Sequence, residues 1–262
     1  MITDDLTGRT ALVTGATSGI GKATAIALAR QGARVLVAGR DKGRGDAVVA
    51  AIRADGGEAG FLPGDLHDAL SARDLAQRAT QAAGGQIDVL VNNAGIGTLG
   101  PTQGFDEATF DSIFGTNLKV PFYLVGVIAP AMAGRGKGSI INVSTMAAEM
   151  GVPGMAVYGA SKAALNLLTQ SWAAEYGPSG VRVNAVSPGT VRTPSVEVLG
   201  EVLDQIGAQS PAGYVARPEE IAAVIAFLAS DAASYVQGAV LNVDGGRTRS
   251  NAAILNPDTG HG

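Results

Sequence analysis

The sequence predicts one α/β domain, doubly wound, with about seven parallel strands flanked by helices, and three observations predict it. Short runs of β-branched and other apolar residues alternate with longer helical patterns over nearly the whole chain, the order that builds a parallel sheet with helices on both faces. Several of the short runs are apolar without alternation, as in Ala11-Leu12-Val13, Val35-Leu36-Val37 and Ile140-Ile141, which fits strands covered on both sides. The 262 residues, 46% hydrophobic and 16% charged, suffice for one full-sized core and leave no spare length for a second.

The elements follow in order. A first strand at Thr10–Thr14 runs through a glycine-rich turn into a helical pattern at Ile20–Gln31. Arg34–Ala38 is the second strand, followed by a helix at Ala47–Ala54, and Glu58–Leu62 is the third, followed by a helix at Ala69–Ala83. Val89–Val91 leads to one long helical pattern, Phe105–Met132, and Ser139–Val143 leads to Val157–Tyr176, where Leu165, Leu168 and Trp172 form an apolar stripe. Val181–Val186, a helix at Glu219–Ser230 and a last strand at Val240–Val243 complete the set. Residues 1–246 contain no linker or repeat and form the expected domain, while 247–262 read as a surface tail.

Composition excludes several chemistries. There is no cysteine, and His67 and His261 are the two histidines, so disulfide frameworks, thiol nucleophiles and Cys- or His-rich metal sites are ruled out. Nineteen basic against 23 acidic residues give a net charge of −4, which offers no footprint for nucleic acid or anionic lipid, and a small-molecule partner is expected. The first eight residues are acidic and polar, unlike a secretory signal, and no apolar run approaches about 18 residues. The expected compartment is the cytoplasm, with no membrane partner.

The first strand opens into Thr14-Gly15-Ala16-Thr17-Ser18-Gly19-Ile20-Gly21-Lys22, a turn that presents backbone N–H groups and a positive helix end to a phosphate. Gly21-Lys22 is not the end of a nucleotide-triphosphate loop, because Ala16 stands where that loop needs glycine and Ala23 where it needs Ser or Thr. Downstream come Asp65-Leu66 after the third strand, Asn92-Asn93-Ala94-Gly95 after the fourth, and Asn117 in the long helix. Ser144-Thr145 follows the fifth strand, then Tyr158-x-x-x-Lys162, then Pro188-Gly189, Val191 and Thr193 after the sixth. In this order and spacing, over residues 8–246, the chain resembles the short-chain dehydrogenase/reductase family. The resemblance implies a Rossmann fold, an NAD(P)-dependent oxidoreductase that interconverts a ketone and a secondary alcohol by hydride transfer, and a homotetramer.

Tyr158 and Lys162, four residues apart on a helix, lie one turn apart on one face and can share a ligand. A phenol titrates near 10, and lowering it toward neutrality by about 3 pH units requires roughly 4 kcal/mol, for which the lysine and the oxidised nicotinamide are the expected sources. By resemblance Tyr158 exchanges the proton, Asn117 holds a water in the relay, and Lys162 also binds the nicotinamide ribose. The family's hydroxyl that bonds the substrate oxygen falls on Thr145, with Ser144 in reserve, since Thr and Ser have equal hydrogen-bonding capacity. The resemblance further assigns Gly15, Thr17, Ser18, Gly19, Ile20 and Gly21 to the phosphates, Asp65 and Leu66 to the adenine, and Asn92, Ala94 and Gly95 to the adenosine ribose. Asn93 is either part of that floor or a tie between strands. Pro188, Gly189, Val191 and Thr193 are assigned to the nicotinamide.

The second strand ends Val37-Ala38-Gly39-Arg40, with no carboxylate for a ribose 2′-hydroxyl and a guanidinium suited to a 2′-phosphate, so NADP is expected over NAD, although Asp41 is adjacent. Ile96, Leu99, Met146, Met150, Met155, Val196 and Leu199 form the expected substrate wall, whose methionines suit an apolar ketone or alcohol. Reduction of a 3-oxoacyl group on an acyl carrier protein is the alternative. Against it, Ser171-Trp172-Ala173-Ala174-Glu175 lacks the Arg such relatives carry, leaving Arg135 and Lys137 as basic surface. A non-catalytic dinucleotide sensor would not need the retained Asn117, Tyr158 and Lys162. A hydrolase elbow at Gly159–Ala163 would bury its serine, Ser161, inside a helix.

Overall fold

A computed structural model describes residues 5–249. Seven strands form one parallel sheet in the order β3-β2-β1-β4-β5-β6-β7: β1 (Thr10–Thr14), β2 (Arg34–Gly39), β3 (Ala59–Pro63), β4 (Val89–Asn92), β5 (Gly138–Val143), β6 (Val181–Pro188) and β7 (Val240–Val243). Register is continuous across the centre, with Val13 opposite Val37 on one side and Val91 on the other. The helices are α1 (Gly19–Arg30), α2 (Lys42–Ala54), α3 (Ala69–Ala82), α4 (Glu107–Phe114), α5 (Val120–Gly134), α6 (Ala156–Tyr176), α7 (Glu201–Ala208) and α8 (Pro218–Ala229).

Because successive strand residues face opposite ways, β1 sends Ala11 and Val13 into a core with α1, α2 and α8, and Leu12 into a second core with α3, α5 and α6. The expected doubly wound sheet is therefore present, covered on both sides. Strand order reverses between β1 and β4, and there the loops at the carboxyl ends open a crevice of the kind that takes ligands in such sheets.

Three departures from the sequence reading are instructive. Helix α2 begins five residues early, at Lys42, because Asp41 caps it by accepting from the Arg44 amide at 2.9 Å. Gly45 hid this turn; it is glycine because a Cβ would lie 2.2 Å from the Phe61 ring. Helix α7 has no counterpart among the helical patterns read from periodicity. The single pattern at Phe105–Met132 is α4 and α5 joined by a π-helical turn, Gly115–Lys119. This Glu107–Gly134 stretch, with a mean hydropathy of 1.3 over its most apolar window, is long and apolar enough to span a membrane, contrary to the expectation from run length. Here its apolar side, including Leu124, Ile128 and Met132, packs against the sheet as a core helix.

Of the expected tail, 250–262 lie outside the described residues, as does His261. The part within them is tied to the body: Arg247 donates to the backbone and side chain of Gln209, Thr248 to Asp244, and Arg249 to Glu149 at 3.1 Å.

Candidate active site

The phosphate turn is built by its glycines and by Asn93. Gly15 adopts φ +61°, and a Cβ there would stand 2.9 Å from both the Ala94 Cα and the Asn93 Nδ2, so only glycine lets β1 and the β4 loop approach so closely. Asn93 Nδ2 donates to the Thr14 carbonyl at 2.8 Å and the Gly15 carbonyl at 3.1 Å, while the Thr14 hydroxyl accepts from the amides of Asn93 and Ala94 at 3.0 Å each. Asn93 is thus a tie between strands. Ser18 at the N-cap of α1 makes no side-chain capping bond, and no acid occupies the first turn, which leaves the helix end fit for an anion. Thr193 stands beside this turn, its Cγ2 3.1 Å from where a Gly19 Cβ would be.

The catalytic candidates converge around residues 95–97. A Cβ on Gly95 would lie 3.2 Å from Lys162 Nζ and 3.3 Å from Asn117 Oδ1, and one on Gly97 would lie 2.9 Å from the Tyr158 ring. Tyr158 and Lys162 share helix α6, and the Thr145 side chain stands near enough to the Tyr158 phenol to favour its ionised form. Thr145 also caps the short turn after β5 by accepting from the Ala147 amide at 3.3 Å. Ser144 is 4% exposed, and its hydroxyl meets no hydrogen-bond partner among the described residues. The geometry therefore brings Thr145, and not Ser144, to the phenol.

Electrostatics differ from the expected tuning. Lys162 is buried, donates to the Val143 carbonyl at 2.8 Å, and loses solvation, which brings its ammonium down to about 8. Burial likewise pushes the Tyr158 phenol up, against a smaller opposing effect of the Thr145 side chain. In the protein alone each charged form is disfavoured, and the lysine does not hold the phenol low. The reason is desolvation, the largest effect on both groups.

Asn117 is placed differently from a simple water holder. Its Nδ2 donates to the Ile96 carbonyl at 2.8 Å and to Ser161 Oγ at 3.0 Å, and its Oδ1 accepts from the Ile96 amide at 2.9 Å. Both amide hydrogens are engaged, which leaves one acceptor lone pair for a water. Ser161 passes the chain on, donating to the Tyr158 carbonyl at 2.7 Å. Its role, and that of Gly159, where a Cβ would meet the Ala147 carbonyl at 2.5 Å, escaped the sequence reading; the signal was a small residue on each side of Ala160 inside Tyr158-x-x-x-Lys162.

Three of the residues expected at the cofactor have side chains engaged within the protein. The Asn92 side chain is buried and donates to Asn142 Oδ1 at 2.8 Å, and Asn142 donates to Thr169 at 2.8 Å, so this side chain ties β4 to β5 and α6, which leaves the Asn92 backbone for a ribose. Val191 is 7% exposed and packs in the core with α1 and α8, which leaves its backbone alone for a nicotinamide. Asp65 is exposed and stands 3.8 Å from Arg40, so the residues expected at the adenine and at the 2′-phosphate form an ion pair. Leu66 is buried beneath them, and Pro188-Gly189 ends β6, where a Cβ on Gly189 would lie 2.7 Å from the Asp244 Cα. Near the expected substrate wall, Met146 lines a cavity of about 200 Å³ with Thr190, Ile206, Tyr214 and Asn242.

The chain matches known proteins over most of its length. A family profile described as Enoyl-(Acyl carrier protein) reductase matches residues 15–248. The 3-oxoacyl-(acyl-carrier-protein) reductase FabG of Thermotoga maritima is 39% identical over 249 residues, covering 92% of this chain and 98% of that protein. The cis-4-hydroxycyclohexanecarboxylate dehydrogenase of Sinomonas cyclohexanicum is 43% identical over 242 residues, covering 92% and 96%. A crystal structure from Beutenbergia cavernae, provisionally assigned as an NAD(P)-dependent gluconate 5-dehydrogenase and holding NADP at low occupancy, superposes with a TM-score of 0.89 at 41% identity, covering 94% and 99%. With the glycine turn, the Tyr158/Lys162 helix and these matches together, the chain belongs to the short-chain dehydrogenase/reductase family and is an oxidoreductase acting on CH–OH or C=O groups.

Proposed function

We propose that this enzyme interconverts an apolar ketone and its secondary alcohol with NADP(H), Tyr158 exchanging the proton. The observation that carries the reading is the convergence of the Tyr158 phenol, the Thr145 side chain and buried Lys162 at the same end of the sheet as the phosphate turn. The nicotinamide, when bound, supplies or accepts the hydride. Thr145 holds the substrate oxygen, and Tyr158 gives it a proton as the carbonyl is reduced. Lys162 has two donors beyond the one on Val143, suited to ribose hydroxyls. Because burial raises the phenol, Tyr158 stays protonated at neutral pH, the form reduction needs. Alcohol oxidation needs the phenolate and is expected to accelerate as pH rises.

Arg40 supports NADP: it is exposed at the end of β2, and the neighbouring Asp41 carboxylate is engaged at the Arg44 amide and guanidinium, turned to its own helix. The methionines support an apolar substrate, and the cyclic ring of the substrate named for the Sinomonas relative supports a secondary alcohol on a carbon ring. The acyl-carrier reading is weakened because Arg135 is held by Ile87 and Asp88, and Lys137 by Asp231, at the amino end of β5 and away from the site. We further propose assembly as a homotetramer, from the apolar residues Phe110, Phe122 and Leu167 exposed on α4, α5 and α6.

The test is a panel of cyclic and aliphatic ketones followed at the nicotinamide absorbance, with NADPH and NADH titrated separately by fluorescence. Turnover of apolar ketones and tighter NADPH binding are expected. Tighter NADH binding overturns the cofactor choice, and activity confined to acyl-carrier thioesters overturns the substrate class.

A further inference from the structure

The π turn Gly115–Lys119 touches both ends of the cofactor crevice. On one side Thr116 Oγ1 donates to the Leu66 carbonyl at 3.1 Å, with Thr116 6% and Leu66 8% exposed, and a Cβ on Gly115 would lie 2.5 Å from the His67 carbonyl. The turn is therefore pressed, backbone to backbone, against the loop expected to hold the adenine. On the other side the next residue, Asn117, clasps the Ile96 peptide through both its amide and its carbonyl and reaches Ser161, which bonds the Tyr158 carbonyl.

Adjacent residues on a helix diverge by about 100°, so one turn can serve two neighbours that do not touch each other. The Thr116–Leu66 and Asn117–Ser161 bonds are buried and the Asn117–Ile96 pair is part-buried, and Val120 and Leu124 anchor the following helix in the core. A shift of the turn toward either loop has to strain its bonds to the other. A π turn inside an α-helix carries an extra residue, a feature frequent at functional sites.

Resting on the proposed NADP(H) reaction, we infer that this turn couples the adenine end of the site to the catalytic end, with Thr116 as the positioning residue. Ordering of the Asp65–His67 loop by the adenosine half of the cofactor is transmitted through Thr116 to Asn117 and so to the segment that seats Tyr158. Part of the binding energy of the remote half is thereby used at the reacting centre.

The test compares T116V, which keeps shape and removes the donor, with T116S, which keeps the donor. Two readouts are taken: the Kd of adenosine 2′,5′-bisphosphate by calorimetry, and kcat at saturating NADPH with the ketone that wild type reduces fastest. T116V is expected to weaken bisphosphate binding and to lower kcat, each by about three- to tenfold, the scale of one hydrogen bond, while T116S stays within about twofold on both. A change in Kd alone, in kcat alone, or in neither overturns the coupling, as does T116S behaving like T116V. If T116V does not fold, T116A removes the same donor and is read the same way. Wild type that turns over no ketone with NADPH sinks the proposed reaction, whereas active wild type with only one readout moved overturns the coupling alone.

Discussion

Ser144 and Thr145 are adjacent at the end of β5, yet burial separates their chemistry. Thr145 stands by the Tyr158 phenol while the Ser144 hydroxyl sits in the protein interior. Thr145→Ala is expected to lower kcat by about 100-fold, the cost of one donor aimed at the reacting oxygen, and Ser144→Ala by no more than a few-fold. Equal losses measured under saturating substrate contradict the assignment. Lys162 makes a second prediction. Its value in the fold, about 8, lies below the ordinary 10.5, so the unfolded chain binds more protons between those values and stability rises with pH across that window. Relative to Lys162→Met, the cofactor-free wild type is expected to gain on the order of 3 kcal/mol from pH 8 to about 10.5 in urea unfolding. The raised Tyr158 phenol opposes this only above its ordinary 10.0, so the comparison is cleanest below that pH. A difference that stays flat shows that Lys162 is not desolvated.

At the scale of elements, apolar periodicity located the strands to within a residue or two, because burial on both faces leaves little room for polar positions. It failed where polar groups or glycines carry the structure. Gly43 and Gly45 concealed the first turn of α2, and the π turn cannot be read from spacing because it changes the helical period within a continuous apolar pattern. Residue type does not reveal which way a strand-end side chain such as that of Asn92 faces. The Asn92–Asn142–Thr169 chain is an interior tie among β4, β5 and α6, with all three residues at 2% exposure or less. Asn142→Ala leaves the Asn92 side chain unpaired, while Thr169 keeps its bond to the Leu165 carbonyl, and is expected to destabilise the fold by about 1–3 kcal/mol in urea titration, with the Kd for NADPH unchanged. A weakened Kd at preserved stability returns these side chains to the cofactor site.

Over the whole molecule, the sheet brings residues from β1, β4, β5, the α4–α5 junction and α6 to one crevice, which is why motifs 140 residues apart in the chain read as one site. The same helices leave Phe110, Phe122 and Leu167 exposed on the outer face, and light scattering on the eluting peak is expected to give four chains. Replacing Phe122 and Leu167 together by Asp is expected to yield a smaller species, and an unchanged mass assigns the interface elsewhere. The central claim is that one half-buried phenol, that of Tyr158, exchanges the proton of a nicotinamide-dependent ketone reduction. It is tested most directly by Tyr158→Phe, with ketone reduction followed at the nicotinamide absorbance and NADPH binding measured in parallel. The expected result is a loss of kcat by about 100- to 10,000-fold with NADPH affinity retained, the range for removing a general acid. Turnover within a few-fold of wild type, with NADPH still bound, contradicts it.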